Sequence, residues 1–185
     1  MAWEFYLIGA IVVIIILIFL FIYNQLVSLR NRIENAWSQI DVQLKRRFDL
    51  IPNLVETVKG YAKHEKSTFE MVTKARTQMM QATSIKDKAQ AENMLTGALK
   101  SLFAVAEAYP ELKANENFLA LQEELSGTEN KIAFARQFYN DSVMQFNTSI
   151  QQFPSNLLAG WMHLTQKDYF EVQESEKKPV KVKFD

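Results

Sequence analysis

The sequence lacks cysteine and has few residues that bend a chain or bind metals. Its 185 residues include no cysteine, four prolines, five glycines and two histidines. The absence of cysteine excludes disulfides and thiolate metal sites, and the two widely separated histidines argue against structural zinc. The glycines lie at least 30 residues apart, so no glycine-rich phosphate loop can form.

Catalytic motifs are also missing. The stretch "HEKST" begins like a zinc-protease motif, but Thr68 stands where the second histidine belongs. There is no Gly-x-Ser-x-Gly elbow and no Glu-x-x-His pair for a two-metal site. We therefore predict no enzymatic activity, no catalytic residue, no cofactor and no metal. Because 21 basic residues balance 21 acidic ones, nucleic acid is not expected as a partner.

One long apolar run is present near the N-terminus. Residues 5–22, "FYLIGAIVVIIILIFLFI", contain no charge, and a helix of that length spans about 27 Å, close to the thickness of a bilayer's hydrocarbon core. A signal peptide would carry a basic residue where Glu4 stands, so a retained transmembrane helix is favoured. Trp3, Tyr6 and Tyr23 flank the run as aromatic interface anchors. The lipid bilayer is thus the first expected partner.

The flanking charges predict an orientation. No basic residue precedes the run, whereas Arg30 and Arg32 follow it closely. By the positive-inside rule, the N-terminus lies outside and the C-terminal part in the cytoplasm, as expected for a single-pass membrane protein.

The first helix is predicted to continue beyond the membrane and across a proline. In "AWSQIDVQLKRRFDLIPNLVETVKGYAKHE", apolar residues keep a three-and-four spacing on both sides of Pro52. A helix-interior proline costs about 3 kcal/mol, so two interpretations stay open. Either one kinked helix continues to about Ala82, which the unbroken spacing favours, or Asp49 caps a new helix with Pro52 in its first turn.

Further helices are indicated by their capping residues. Ser84 and Asp87 have the spacing of a capping box. A third helix should begin near Asn115, with an apolar stripe that reaches Phe153 and a stop at Pro154. Beyond it, Ser155 is expected to cap a short helix in "NLLAGWMHL", and "KKPVKVKFD" is expected to be an extended arm.

These signals predict an all-α fold, in which a single N-terminal transmembrane helix continues into a long antiparallel helical bundle. The expected organisation is a short tail over residues 1–4, the transmembrane helix over 5–23, the bundle over 24–170 and an extended tail over 171–185.

Polar residues on the long helices have two interpretations. They can form an ordinary polar face with a few buried hydrogen bonds that set helix register, or they can contact another subunit. The residues singled out as candidate kink and interaction positions are Arg46, Arg47, Asp49, Pro52, Asn140 and Asn147.

Three segments make a family resemblance visible. They are "YNQLVSLRNRIENAWSQIDVQLKRRFDLIPNLVETVKGYAKHE", "LQEELSGTENKIAFARQFYNDSVMQFNTSIQQFP" and "YFEV…PVKVKF". Together they strongly resemble the LemA family of bacterial membrane proteins over residues 23–185, with Phe48 and Phe138 as mild departures. The resemblance implies a membrane anchor with its N-terminus outside, a helical bundle and no established enzymatic activity. It also implies a link of one magnetosome-associated branch to membrane biogenesis, and of some members to membrane proteases or stress systems.

Two functions compete at this point. The first is a membrane-anchored scaffold that self-assembles into a homo-oligomer through its soluble bundle, because one span and long helices come without catalytic chemistry. The alternative is a monomeric adaptor that docks to another membrane protein, such as a protease or a stress or repair system.

Overall fold

The computed structural model describes residues 2–171, and this range is helical without a strand. The predicted all-α class is confirmed. Six helices follow in order: α1 (Ala2–Tyr61), α2 (Lys66–Gln81), α3 (Ile85–Glu107), α4 (Pro110–Lys113), α5 (Glu116–Ser149) and α6 (Ser155–Trp161). The extended tail predicted from residue 171 onward lies, apart from Glu171, outside the described residues.

Helix α1 passes through Pro52 and ends at Tyr61. The continuous-helix interpretation is therefore confirmed at Pro52, but its extension to about Ala82 is wrong. After Ala62, whose N–H still bonds the carbonyl of Val58, the chain turns and α2 begins at Lys66. The reversal lets the apolar face of α2, including Phe69, pack into the same core as α1.

The predicted capping residues at the starts of α3 and α5 are confirmed. The N–H of Asp87 donates to Ser84 Oγ at 3.0 Å, and the Ser84 N–H donates back to Asp87 Oδ2, which completes the capping box. The N–H of Phe118 donates to Asn115 Oδ1 at 3.0 Å. Each contact satisfies a backbone donor that a helix start leaves unpaired.

The chain divides into two compact units. The bundle unit comprises residues 39–136 and the described residues from 169 onward; the span unit comprises residues 2–38 and 137–168. In the bundle unit, α5 runs antiparallel to α1, because Asn115 at its start bonds Tyr61 while Glu124 further along pairs with Arg46. Its core is apolar and is contributed by α1 to α5: Ile51, Leu54, Val58, Phe69, Val72, Leu95, Leu99, Leu102, Leu112, Phe118 and Leu125.

The span unit packs the end of α5 and α6 against α1. Tyr139 on α5 stacks edge-on against Trp37, with ring centroids 5.7 Å apart. The predicted extent of the α5 helix is wrong: it ends at Ser149, and Phe153 is 80% exposed rather than part of the buried stripe. Ser155 is not a cap either, since its Oγ donates to the carbonyls of Ser149 and Gln152 and holds α6 to the end of α5.

Helix α6 is terminated without glycine. His163 adopts a φ of 51°, the left-handed conformation that commonly ends helices. The N–H of Leu164 donates to the Ala159 carbonyl at 2.9 Å and that of His163 to the Gly160 carbonyl at 3.1 Å. This pair of hydrogen bonds is a Schellman motif. It turns Leu164 back so that it packs against the buried side chains of Ile22, Leu26, Leu158 and Ala159.

Replacing Pro52 by alanine is expected to keep the fold and raise the free energy of unfolding by about 1–2 kcal/mol. Alanine restores the N–H that can bond the Phe48 carbonyl, while the more flexible unfolded chain offsets part of the gain. Urea unfolding of the full-length protein in mild detergent, followed by circular dichroism, measures this. A destabilised P52A variant would show that the bundle requires the proline.

Candidate functional site

The first candidate site is the apolar part of α1. Within residues 2–171, one helix is long and apolar enough to cross a membrane. Side chains of the run are exposed up to Phe21, as lipid-facing residues would be, and the proposed anchors Trp3, Tyr6 and Tyr23 are 64%, 78% and 41% exposed. A soluble core helix would have buried these side chains.

The two arginines beyond the span have local partners. Arg30 forms an exposed ion pair with Glu34 at 3.3 Å. Arg32 donates to Gln145 Oε1 at 3.1 Å, and its guanidinium lies 5.1 Å from the centre of the Phe138 ring. Arg32 thus helps to hold α5 against α1 within the span unit, while its charge still follows the span directly.

The adjacent arginines of "KRRFD" have different environments. Arg46 is half exposed and pairs with Glu124 at 2.5 Å. Arg47 is 4% exposed and forms ion pairs with Glu92 of α3 and Glu129 of α5, the latter at 2.6 Å. Because neighbouring helical residues point about 100° apart, one arginine faces solvent and the other joins three helices.

The Arg47 cluster, defined as Arg47, Glu92 and Glu129, lies inside the bundle unit. Glu92 is 1% exposed and accepts a hydrogen bond from Arg47. Among residues 2–171, neither Glu92 Oε2 nor Arg47 Nε has a hydrogen-bond partner. Buried charge that is only partly hydrogen-bonded stabilises a fold weakly, but it strongly penalises any arrangement that separates the ions. We therefore expect the cluster to disfavour other registers of α1, α3 and α5.

The ionisation of Glu92 reflects its burial. Loss of hydration raises the pKa of Glu92 above its ordinary value of 4.5, and the charge of Glu129 adds to this rise. The guanidinium groups of Arg47 and Arg136 act in the opposite direction without cancelling it. Among the groups around Glu92, Arg47 does most to oppose the rise in its pKa.

A cleft lies beside this cluster, between α3 and α5. Its volume is about 420 Å³, and its lining includes the apolar side chains of Leu99 and Phe103 together with Arg47 and Glu129. Such a surface suits an apolar side chain with a polar end. In the described part of the chain, no three acidic or histidine side chains converge as metal ligands would.

The remaining predicted positions differ in burial. Asp49 is exposed and Pro52 is half-buried inside α1. Asn140 is half-buried and engaged in an interaction. Asn147 is 6% exposed, and its side-chain amide bonds both backbone groups of Lys167: Nδ2 donates to the carbonyl at 2.9 Å and Oδ1 accepts from the N–H at 2.8 Å.

Tyr139 makes a second contact to the same segment. Its hydroxyl donates to the Asp168 carbonyl at 2.9 Å. Burial, together with the Asp168 charge, raises the pKa of Tyr139 to about 12, so the hydroxyl stays a donor at physiological pH. Tyr139 and Asn147 together form the tail clamp, which holds residues 167 and 168 against α5.

Sequence reasoning missed Glu92, Glu129 and the tail clamp. Glu92 had a usable signal, because it lies three residues from both Ala89 and Leu95 on the apolar stripe of α3. A charge within such a stripe indicates a buried partner. The partners of Asn147 and Tyr139 lie 20 and 29 residues further along the chain, and no local pattern identifies them.

Comparison with known proteins places the chain among related sequences. The model of the LemA family matches residues 36–184. The chain is 30% identical over 172 residues to Protein LemA of Metamycoplasma hominis, covering 88% of this chain and 77% of the relative. It is 26% identical over 184 residues to Magnetosome protein MamQ 2 of Paramagnetospirillum magneticum, covering 85% and 68%. MamQ of Magnetospirillum gryphiswaldense is 23% identical with the same coverage. None of these names is an enzyme name.

Proposed function

Because this chain belongs to the LemA family, we propose that it is a non-enzymatic, membrane-anchored helical scaffold that self-assembles through its bundle unit. The family membership and the span fit a membrane-associated helical protein. The observation that carries the proposal is the continuity of α1, which contains both the apolar run and, at Ile51, Leu54 and Val58, core residues of the bundle unit. The membrane anchor and the first helix of the bundle unit are thus the same continuous helix.

The proposed location is the bacterial inner membrane, with the N-terminus outside and the bundle unit in the cytoplasm. Arg30 and Arg32 follow the span without basic residues before it, which supports this orientation. Three relatives carry magnetosome names, which supports a role in organising or remodelling membranes.

Self-assembly requires a surface on the bundle unit. Phe134 and Met80 are its most exposed large apolar side chains, at 73% and 71%. Exposed apolar side chains of this size favour protein contacts. We place the contact between copies at Phe134, because an aromatic residue contributes more to an interface than a flexible methionine.

The mass of the full-length protein in mild detergent tests this proposal. Light scattering is expected to show a discrete oligomer, which F134D reduces toward the monomer because a carboxylate cannot be buried between copies. A133D introduces the same negative charge at the adjacent exposed position, whose side chain points about 100° away from Phe134, and should leave the mass unchanged. A monomer at all concentrations would contradict the scaffold.

The alternative function is a monomeric adaptor for another membrane protein. The cleft between α3 and α5 favours it, since a lining that combines apolar and charged side chains suits a partner's side chain with a polar end. A monomeric mass, together with one membrane protein co-purifying at equal stoichiometry, would favour the adaptor.

A further inference from the structure

An apolar surface of the span unit has no part in the proposed assembly. Leu157 and Trp161 lie four residues apart on α6 and therefore share one face, and Phe153 precedes the helix by two residues. These three side chains, defined as the α6 apolar face, are 63%, 71% and 80% exposed. Exposing two aromatic rings and a leucine together in water is unfavourable, so their surroundings need a physical explanation.

The opposite side of α6 shows where this face lies along α1. Leu158 and Ala159 are buried against Ile22 and Leu26. Ile22 is the last residue of the apolar run 5–22, and Leu26 follows one helical turn later. Helix α6 is thus fixed beside the end of the span, at the level where hydrocarbon gives way to lipid headgroups.

The sequence around α6 is independently suited to that level. From 142 to 166 there is no aspartate, glutamate, lysine or arginine. A stretch of 25 residues without these charges is unusual in a chain that is 23% charged. Bringing it to a membrane surface requires no charged group to lose its hydration. Tryptophan and phenylalanine are also the residues that favour the interfacial region.

We propose that the α6 apolar face is a second membrane contact, in which Phe153, Leu157 and Trp161 insert into the interfacial region of the leaflet from which α1 emerges. The occupant of this face is lipid. Because residues 142–166 contain no aspartate, glutamate, lysine or arginine, insertion of this segment depends on apolar burial and does not need anionic lipid. This inference rests on the proposed anchoring of α1, and it adds a shallow contact that fixes how deeply the span unit lies.

Tryptophan fluorescence of the full-length protein in liposomes tests the proposal. The chain has three tryptophans, so W3F/W37F leaves Trp161 as the only reporter without altering α6. In vesicles of phosphatidylcholine, Trp161 emission should shift to the blue, be quenched by lipids brominated on the acyl chain and resist aqueous iodide. Vesicles containing phosphatidylglycerol should give the same result.

Two matched reporters make the outcome specific. W37F/W161F leaves Trp3, whose quenching by brominated lipid tests the span alone. W3F/W37F/W161F/M80W places the reporter at position 80, which is 71% exposed in the bundle unit and lies outside the proposed contact between copies, and it should be quenched by iodide rather than by lipid.

Each alternative result overturns the contact in a distinguishable way. Quenched Trp3 with an iodide-accessible Trp161 would leave the anchor intact and reject the α6 contact. A Trp161 shielded from both iodide and brominated lipid would show that protein covers the face instead. Equal lipid quenching at positions 80 and 161 would reject a contact specific to α6, and an unquenched Trp3 would reject the anchor itself.

Discussion

Replacing Arg47 by alanine is expected to lower the free energy of unfolding by about 3–5 kcal/mol. The substitution removes the cation that pairs with Glu92 and Glu129 and leaves the buried Glu92 carboxyl without its main compensating charge. Urea unfolding of the full-length protein in mild detergent, monitored by circular dichroism, measures the loss.

Neighbouring variants separate this effect from a general loss of charge. R46A removes a half-exposed pair with Glu124 and should change stability by no more than about 1 kcal/mol, because solvent screens the interaction. E92Q keeps the shape of the side chain and leaves Arg47 paired with Glu129, so its loss should lie between those of R46A and R47A. Equal losses for R46A and R47A would contradict the assignment of Arg47 to the core.

The R47A loss should also depend on pH. The pKa of Glu92 is raised by burial in the folded state, so the stability tied to its protonated form is present below its ordinary pKa and is lost as pH rises through the folded value. Removing the positive charge of Arg47 raises the folded-state pKa of Glu92 further, so the free energy of unfolding of R47A continues to fall up to a higher pH. R47A should therefore lose less stability at mildly acidic pH than at neutral pH. Without the Glu92 carboxyl this contribution is absent, so the free energy of unfolding should depend on pH in the same way in the R47A/E92Q double variant as in E92Q alone.

Replacing Asn147 by alanine is expected to lower the free energy of unfolding by about 2–3 kcal/mol. Its buried amide makes two hydrogen bonds with the backbone of Lys167, and alanine replaces neither. The local consequence is larger than the global one, because of the two tail-clamp side chains the Tyr139 hydroxyl alone then still bonds this segment. Hydrogen exchange at the Lys167 amide should accelerate strongly.

Two further variants test the tail clamp. T148A alters an exposed side chain next to Asn147 and should change stability by no more than about 0.5 kcal/mol. Y139F removes the bond to the Asp168 carbonyl, and its loss combined with N147A should not be additive, because both side chains hold the same segment. Additive losses with unchanged exchange at Lys167 would contradict a shared clamp.

Signals that act over one or two helical turns are the ones that sequence reasoning interpreted correctly. The apolar run, the spacing across Pro52, the capping box at Ser84 and the cap at Asn115 each depend on neighbours along the chain. Helix ends were less predictable. The extended α1 and the extended α5 were both wrong, because each helix ends where the chain turns back to bury another apolar face, and neither the Tyr61 end nor the Ser149 end coincides with a proline.

By itself the sequence determined the all-α class, the apolar span and the spacing that keeps α1 helical, because backbone hydrogen bonding and side-chain periodicity are local. Only the tertiary structure decided that Arg47 is buried while Arg46 is not, that Asn147 binds the Lys167 backbone and that Phe153 is exposed beside α6. These outcomes depend on which side chains, far apart in the sequence, come into contact between helices. The chemical type of an arginine or an asparagine does not by itself identify that partner.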